Sequence, residues 1–150
     1  MYPKAEKSNT KKEFWTSFGA YIKPIPNAEG ERINWVNYKT GIKHINFRMD
    51  VDTRLCSVAV EIKSLSDAER KNIYDKFLSL KKIFAEICGN NWIWVERTYD
   101  EDGSPLSKIY CEKHQLNIMK KEDWPEIISF FKERIIKLDE FWLVGKVNFE

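Results

Sequence analysis

Apolar and polar residues alternate strictly in one stretch of the chain. Ile45, Phe47, Met49 and Val51 are apolar, and Asn46, Arg48 and Asp50 between them are polar or charged. A period of two marks a β-strand, because successive side chains point to opposite faces. After Asp52 and Thr53 the alternation resumes: Cys56, Val58, Val60 and Ile62 against Ser57, Ala59, Glu61 and Lys63. Two such runs joined by a short turn predict an antiparallel hairpin with one buried and one solvated face. The apolar positions are odd-numbered in the first strand and even-numbered in the second. Facing partners must therefore sum to an odd number, or apolar side chains would land on opposite sides. A tight turn predicts Ile45 opposite Val60, Phe47 opposite Val58 and Met49 opposite Cys56. His44 or Asn46 then stands near Glu61 on the polar face.

Helical spacing appears before and after this hairpin. Thr10 and Glu13 have capping-box spacing, and Phe14, Trp15, Phe18, Tyr21 and Ile22 follow along one stripe. Pro24 predicts the stop, since the residue before proline avoids the α region. After a loop at 24–30, residues 33–38 read as a short strand and 39–41 as a turn. Ser66 and Glu69 form a second capping-box pair. Ile73, Phe77, Leu80, Ile83, Phe84 and Ile87 then predict one long helix, closed by Gly89. Residues 92–95 are apolar on both parities and predict an interior strand. A polar turn at 100–105 leads into a returning strand over 106–112. Asp123 is the expected cap of the last helix, with Pro125 and Glu126 in its first turn. Its stripe is Ile127, Ile128, Phe131, Ile135, Leu138, Phe141 and Trp142. The expected fold is a two-layer α+β domain over residues 13–150. It has a mostly antiparallel sheet of about five strands and three helices, in the order α-β-β-β-α-β-β-α.

Composition supports a packed core: 43% of the 150 residues are hydrophobic and 14% aromatic. Charge is unevenly placed. Residues 1–12 hold Lys4, Lys7, Lys11 and Lys12 against Glu6, and read as a polar, flexible tail. The remaining 138 residues carry 21 basic and 22 acidic groups, a net of −1. A balanced body argues against a general grip on a phosphate backbone, which needs a basic face. Cys56, Cys88 and Cys111 are odd in number and widely spaced, so reduced thiols in a cytoplasmic protein are expected. No apolar run approaches the roughly 20 residues that span a bilayer, and the polar start lacks a signal-peptide core. No membrane partner is expected.

The candidate chemistry is thin. Asp50 or Asp52 followed by Glu61-Ile-Lys63 has the order of a metal-dependent nuclease site, in which carboxylates hold the metal and lysine orients water. At about 3.3 Å per residue the predicted hairpin separates those acids by about 20 Å. Cys111 and His114 have half of a zinc-ligand spacing, and His44 is the one other histidine. Cys56 and Cys88 fall on apolar stripes, as packing thiols do. Gly41, Gly89 and Gly103 are scattered turn glycines, with no phosphate-cradling loop. No cofactor is expected. Trp35, Trp92 and Trp94, with Lys39, Arg48, Arg97 and Lys108, offer a stacking surface for a peptide or single strand. Trp92 and Trp94 share one parity, and Ile93 and Val95 the other. One of those faces must be exposed, or covered by something other than the helix layer.

Several segments carry a family resemblance: Phe14-Trp-Thr-Ser-Phe18, Asn34-Trp-Val-Asn-Tyr-Lys-Thr-Gly41-Ile, Phe47-Arg-Met-Asp50, Val60-Glu-Ile62, Ser107-Lys-Ile-Tyr110 and Asp123-Trp-Pro-Glu-Ile-Ile-Ser-Phe-Phe131. Over residues 13–149 the chain resembles bacterial proteins of domain-of-unknown-function family 4268. The resemblance implies a self-contained domain of bacterial, cytoplasmic origin. It implies no activity and transfers no catalytic residue. It associates the domain with nucleic-acid proteins only because some members carry it behind a nuclease-like domain, which is absent from this chain. The resulting expectation is a noncatalytic binding or interaction module whose partner is a protein or a second copy of the chain, with nucleic acid as the weaker candidate. Its candidate binding residues are His44, Arg48, Glu61, Lys63, Trp94 and Arg97. The alternatives are a metal-dependent nuclease or phosphodiesterase using Glu61 and Lys63, and a purely structural homodimer.

Overall fold

A computed structural model describes residues 2–150. Met1, the first residue of the expected tail, lies outside the described residues. The first helix, α1, spans Lys4–Ile22 and begins well before the expected start. Thr10 therefore lies inside it and caps nothing. Pro3 stands at the N-cap, and Ala5, Glu6 and Lys7 are good helix formers. The hydrophobic stripe reveals only the half of α1 that packs, through Phe14, Phe18 and Ile22.

The first hairpin pairs β1 (Ile45–Val51) with β2 (Leu55–Lys63). Its faces are as the alternation predicts, but the register differs by two residues: Ile45 faces Ile62, Phe47 faces Val60 and Met49 faces Val58. The turn explains the difference. Asp52 Oδ1 accepts the backbone N–H of Arg54 at 2.7 Å and of Leu55 at 3.0 Å, which places the tip one residue later.

Residues 33–38 form no strand. Their aromatics enter the core from an irregular segment: Trp35 donates its indole N–H to the Ile25 carbonyl at 2.9 Å, and Tyr38 stacks on Phe47. The expected long helix is two helices, α2 (Asp67–Ser79) and α3 (Lys81–Cys88). Ser79 Oγ bonds back to the Lys76 carbonyl at 2.6 Å, and Leu80 leaves helical geometry at ψ 8°. Ser66 caps α2 by accepting the Glu69 N–H, and Gly89 closes α3 at φ 91°.

The second hairpin pairs β3 (Ile93–Tyr99) with β4 (Pro105–His114). β4 also pairs with β2, so the four-stranded antiparallel sheet has the order β1-β2-β4-β3. β3 is thus an edge strand rather than an interior one, and a bulge interrupts it between Val95 and Thr98. Edge strands commonly carry such bulges and charges, here Glu96 and Arg97. The last helix, α4, spans Trp124–Gly145. Asp123 does not cap it: a 3-10 turn over Lys121–Asp123 precedes the helix, and Asp123 Oδ2 accepts the Asn117 N–H instead.

Helices α2 and α4 pack on one face of the sheet, and α1 packs on α4 through Phe14, Trp15, Phe18 and Phe131. Ile135, Leu138 and Phe141 of α4 are fully buried beneath β2 residues Val58, Val60 and Ile62. Among the described residues the result is a two-layer α+β domain with four strands and four α-helices, rather than about five strands and three helices. No helix among the described residues is long and apolar enough to cross a membrane.

Candidate binding surface on the open sheet face

The parity puzzle at β3 has a clear answer. Trp92 is buried and bonds the Cys88 carbonyl, while Trp94 packs edge-on against Phe84 at 5.4 Å and Tyr74 at 6.3 Å. Both tryptophans face the helices. Ile93, 51% exposed, and Val95 point to the other side, which no helix covers.

Strand pairing assembles that open face. Arg48 on β1 lies beside Ala59 on β2, and Ala59 beside Tyr110 on β4. One step along, Asn46 lies beside Glu61 and Glu61 beside Lys108. Lys63 and Leu106 follow. The β3–β4 turn rises at that end, held by Asp100 Oδ1, which accepts the N–H groups of Asp102 and Ser104 at 2.9 Å each. The wall and floor enclose a depression of about 380 Å³.

Glu61 lies on its floor and is only 9% exposed. Neighbouring long side chains cover its stem, since Lys63 follows on the same strand and Lys108 lies directly opposite. Lys63 Nζ stands 3.6 Å from Glu61 Oε1 and 3.8 Å from Asp100 Oδ2. No hydrogen bond reaches the Glu61 carboxylate among the described residues, yet neither oxygen is cut off from solvent. Arg48 pairs loosely with Asp50 at 3.8 Å, and Lys108 Nζ sits 4.6 Å above the Tyr110 ring. The lining carries Arg48, Lys63 and Lys108 against Asp50, Glu61, Asp100, Glu101 and Asp102, a net of −2.

Arg48, Glu61 and Lys63 therefore come together, and the other three expected residues do not join them. Trp94 is on the covered face. His44, at φ 73° before β1, binds Glu69 of α2 at 2.9 Å and ties the strand to the helix start. Arg97 sits in the β3 bulge and turns to Asp67 at 3.6 Å and to the Tyr99 hydroxyl at 3.0 Å. Lys108, Leu106, Tyr99 and Asp100 complete the depression. Their membership follows from the β2–β4 pairing, which leaves no local mark in the sequence.

The nuclease-like arrangement looks different in three dimensions. Asp50 faces Ser57, four residues from Glu61, so the two lie about 13 Å apart along the strand rather than about 20 Å. Asp100 is the nearer acid, but the Lys63 ammonium stands between it and Glu61, where a shared cation would have to sit. No group of three His, Cys, Asp or Glu side chains converges as a cation site among the described residues. Cys111 and His114 point to opposite faces, with His114 bonded to Glu112 at 3.2 Å.

The thiols face the core. Burial pushes Cys56 and Cys88 up to about 12 and Cys111 up to about 11, the last partly offset by Arg134. Thiolate is the reactive species. At pH 8 all three should react with a disulfide reagent on the order of a hundredfold more slowly than free cysteine, and at the ordinary rate once the chain is denatured. A single fast thiol in the native protein would contradict this burial.

A second polar group lies apart from the sheet face, between α4 and the segment 23–44. Asp139, 6% exposed, accepts the Tyr38 hydroxyl at 2.5 Å and the Ala28 N–H at 2.7 Å. Trp142 donates to the Thr40 carbonyl beside it. Burial first, then the hydrogen bond to Asp139 and that residue's charge, hold the Tyr38 phenol well above its ordinary value. An unfolded tyrosine ionises near pH 10, roughly. The stability from this protonated phenol is thus complete below about pH 10 and is lost as pH rises further. Denaturation midpoints should fall above that pH, and Tyr38→Phe should flatten the fall. An unchanged slope in the variant would show that other groups control the alkaline transition.

Residues 10–144 match the model of a domain of unknown function, DUF4268. The chain belongs to the DUF4268 family. No curated protein and no solved structure gives a significant match. The matched range of this DUF4268 domain takes in the whole sheet and all of α2 and α3, together with α4 to Val144. It therefore includes both the open face and the Asp139 network.

Proposed function

We propose that this DUF4268 domain is a noncatalytic binding module whose working surface is the open sheet face. The observation that carries the reading is Glu61: a side chain largely covered by its neighbours, with Lys63 Nζ at 3.6 Å and no closer donor among the described residues, and with carboxylate oxygens that still reach solvent on the floor of an uncovered depression. Oxygens that reach solvent can also be reached by a partner's donors, and most of their acceptor positions are unfilled by the chain. The surface is also rigid, because it is built on the two central strands, and pre-ordered groups lose little entropy when they dock.

Mapping of backbone amide shifts with defined probes tests the choice of surface. A short arginine peptide, a short glutamate peptide and a thymidine oligonucleotide cover the main ligand charges. At least one should perturb residues 57–63 and 106–110, and the combined Arg48→Glu and Lys108→Glu charge reversal should change that response by about tenfold in affinity. Responses centred instead on the separate groove lined by Gly19, Ile22, Ile33 and Trp35, or on α4, would place the binding surface elsewhere.

A further inference from the structure

We infer that the partner on the open face is cationic: a basic peptide segment that seats an arginine side chain on Glu61. This inference rests on the reading of that face as the binding surface and adds the chemistry of its occupant. Charge is the first argument. The three bases of the depression already have partners, Lys63 with Glu61 and Asp100, Arg48 with Asp50, and Lys108 with the Tyr110 ring. Glu101 and Asp102 on the raised turn have no ion pair among the described residues. The unspent charge is negative, so the site attracts cations and repels phosphate.

Hydrogen bonding is the second argument. A carboxylate offers up to about four acceptor positions, and at Glu61 only Lys63 Nζ, at 3.6 Å, approaches one of them among the described residues. A guanidinium matches two of those positions at once with parallel N–H donors, a fit that an ammonium cannot copy. The ring surfaces are consistent with this. Arg97 lies 5.6 Å over the ring of Tyr99, which lines the depression, so that rim already accepts a cation on an aromatic face.

Shape is the third. Small ligands bind where most of their surface is enclosed. This depression is open along the sheet face, which suits one side chain of a longer segment whose backbone runs outside.

The test uses the full chain and three probes: an acetylated tri-arginine amide, a tri-glutamate amide and a thymidine dodecamer. Tri-arginine should shift the amides of residues 59–63 and 106–110. Glu61→Gln should weaken it on the order of tenfold, and Asp102→Asn by a smaller factor. Glu133→Gln, which removes an exposed acid on α4, should leave it unchanged. Equal weakening by Glu61→Gln and Glu133→Gln would mean diffuse attraction and would overturn the proposed seat. A face that answers to the oligonucleotide or the glutamate peptide and not to tri-arginine would overturn the cationic occupant and leave the binding surface standing. A face that answers to none of the three would overturn both.

Discussion

Phe131→Ala should lower the unfolding free energy by about 4 kcal/mol, measured by urea denaturation. The side chain is fully buried at the centre of an aromatic cluster. Trp15 stacks on it at 5.3 Å, and Phe14 and Phe18 meet it edge-on at 6.0 and 5.7 Å. Truncation removes the transfer free energy of the ring and leaves a void that rigid neighbours fill only in part. Three of those neighbours belong to α1, so the loss should fall unevenly. Amide hydrogen exchange should accelerate most over residues 14–22, while β2 and β4 stay protected up to the global unfolding limit. Leu65→Ala, at a site 85% exposed, should change stability by less than about 0.5 kcal/mol. A Phe131→Ala loss below about 1.5 kcal/mol would mean that α1 is not held on α4 in this way.

Asp139→Ala should cost about 2 kcal/mol, for a different reason. No core volume of note is lost. What remains is a part-buried Tyr38 hydroxyl and an Ala28 N–H that have both lost their acceptor. Unpaired buried donors lose their full solvation, whereas a made hydrogen bond stabilises by only about 1 kcal/mol net. Tyr38→Phe removes one donor together with the need for it, so its loss should be nearer 1 kcal/mol. The two changes share one interaction, and the double variant should be less destabilised than the two singles added together. Strict additivity would show that the Asp139–Tyr38 contact contributes nothing of its own.

The two predictions concern residues of unequal visibility. Phe131 stands on a clear helical stripe, and its burial follows from spacing. Asp139 stands between Leu138 and Phe141 on the same helix and has no signal of its own. Its partners lie 101 and 111 residues away in the chain: Tyr38 in the segment 33–38 that reads as a strand, and Ala28 in the loop before it. Residues 33–38 failed as a strand because Trp35 and Tyr38 find their hydrogen-bond acceptors in a loop carbonyl and a helix carboxylate, with no neighbouring strand on that side.

The candidate site divides in the same way. Arg48, Glu61 and Lys63 were legible as a polar strand face, because each follows from the period of two in its own strand. Lys108 opposite Glu61 and the Asp100 turn beside Lys63 were not, since both depend on β4 pairing with β2 across some 45 intervening residues. Trp94 and Arg97 read as surface candidates and lie elsewhere, because a bulge in β3 turns Arg97 toward α2 while strand parity sends Trp94 under the helices.

Periodicity, caps and turn residues are local. They depend on neighbours a few positions apart, so the α+β class, the sidedness of the first hairpin, the Ser66 cap and the Gly89 stop could all be read from the chain. Register, strand order and the choice of covered face are relations between distant segments, settled by packing and by single hydrogen bonds such as those of Asp52. The open face exists because α2 and α4 both fold onto the Val58–Val60–Ile62 side, where the apolar area is. Folding leaves Glu61 on the other side, largely covered by its neighbours, with Lys63 Nζ at 3.6 Å and its oxygens open to solvent.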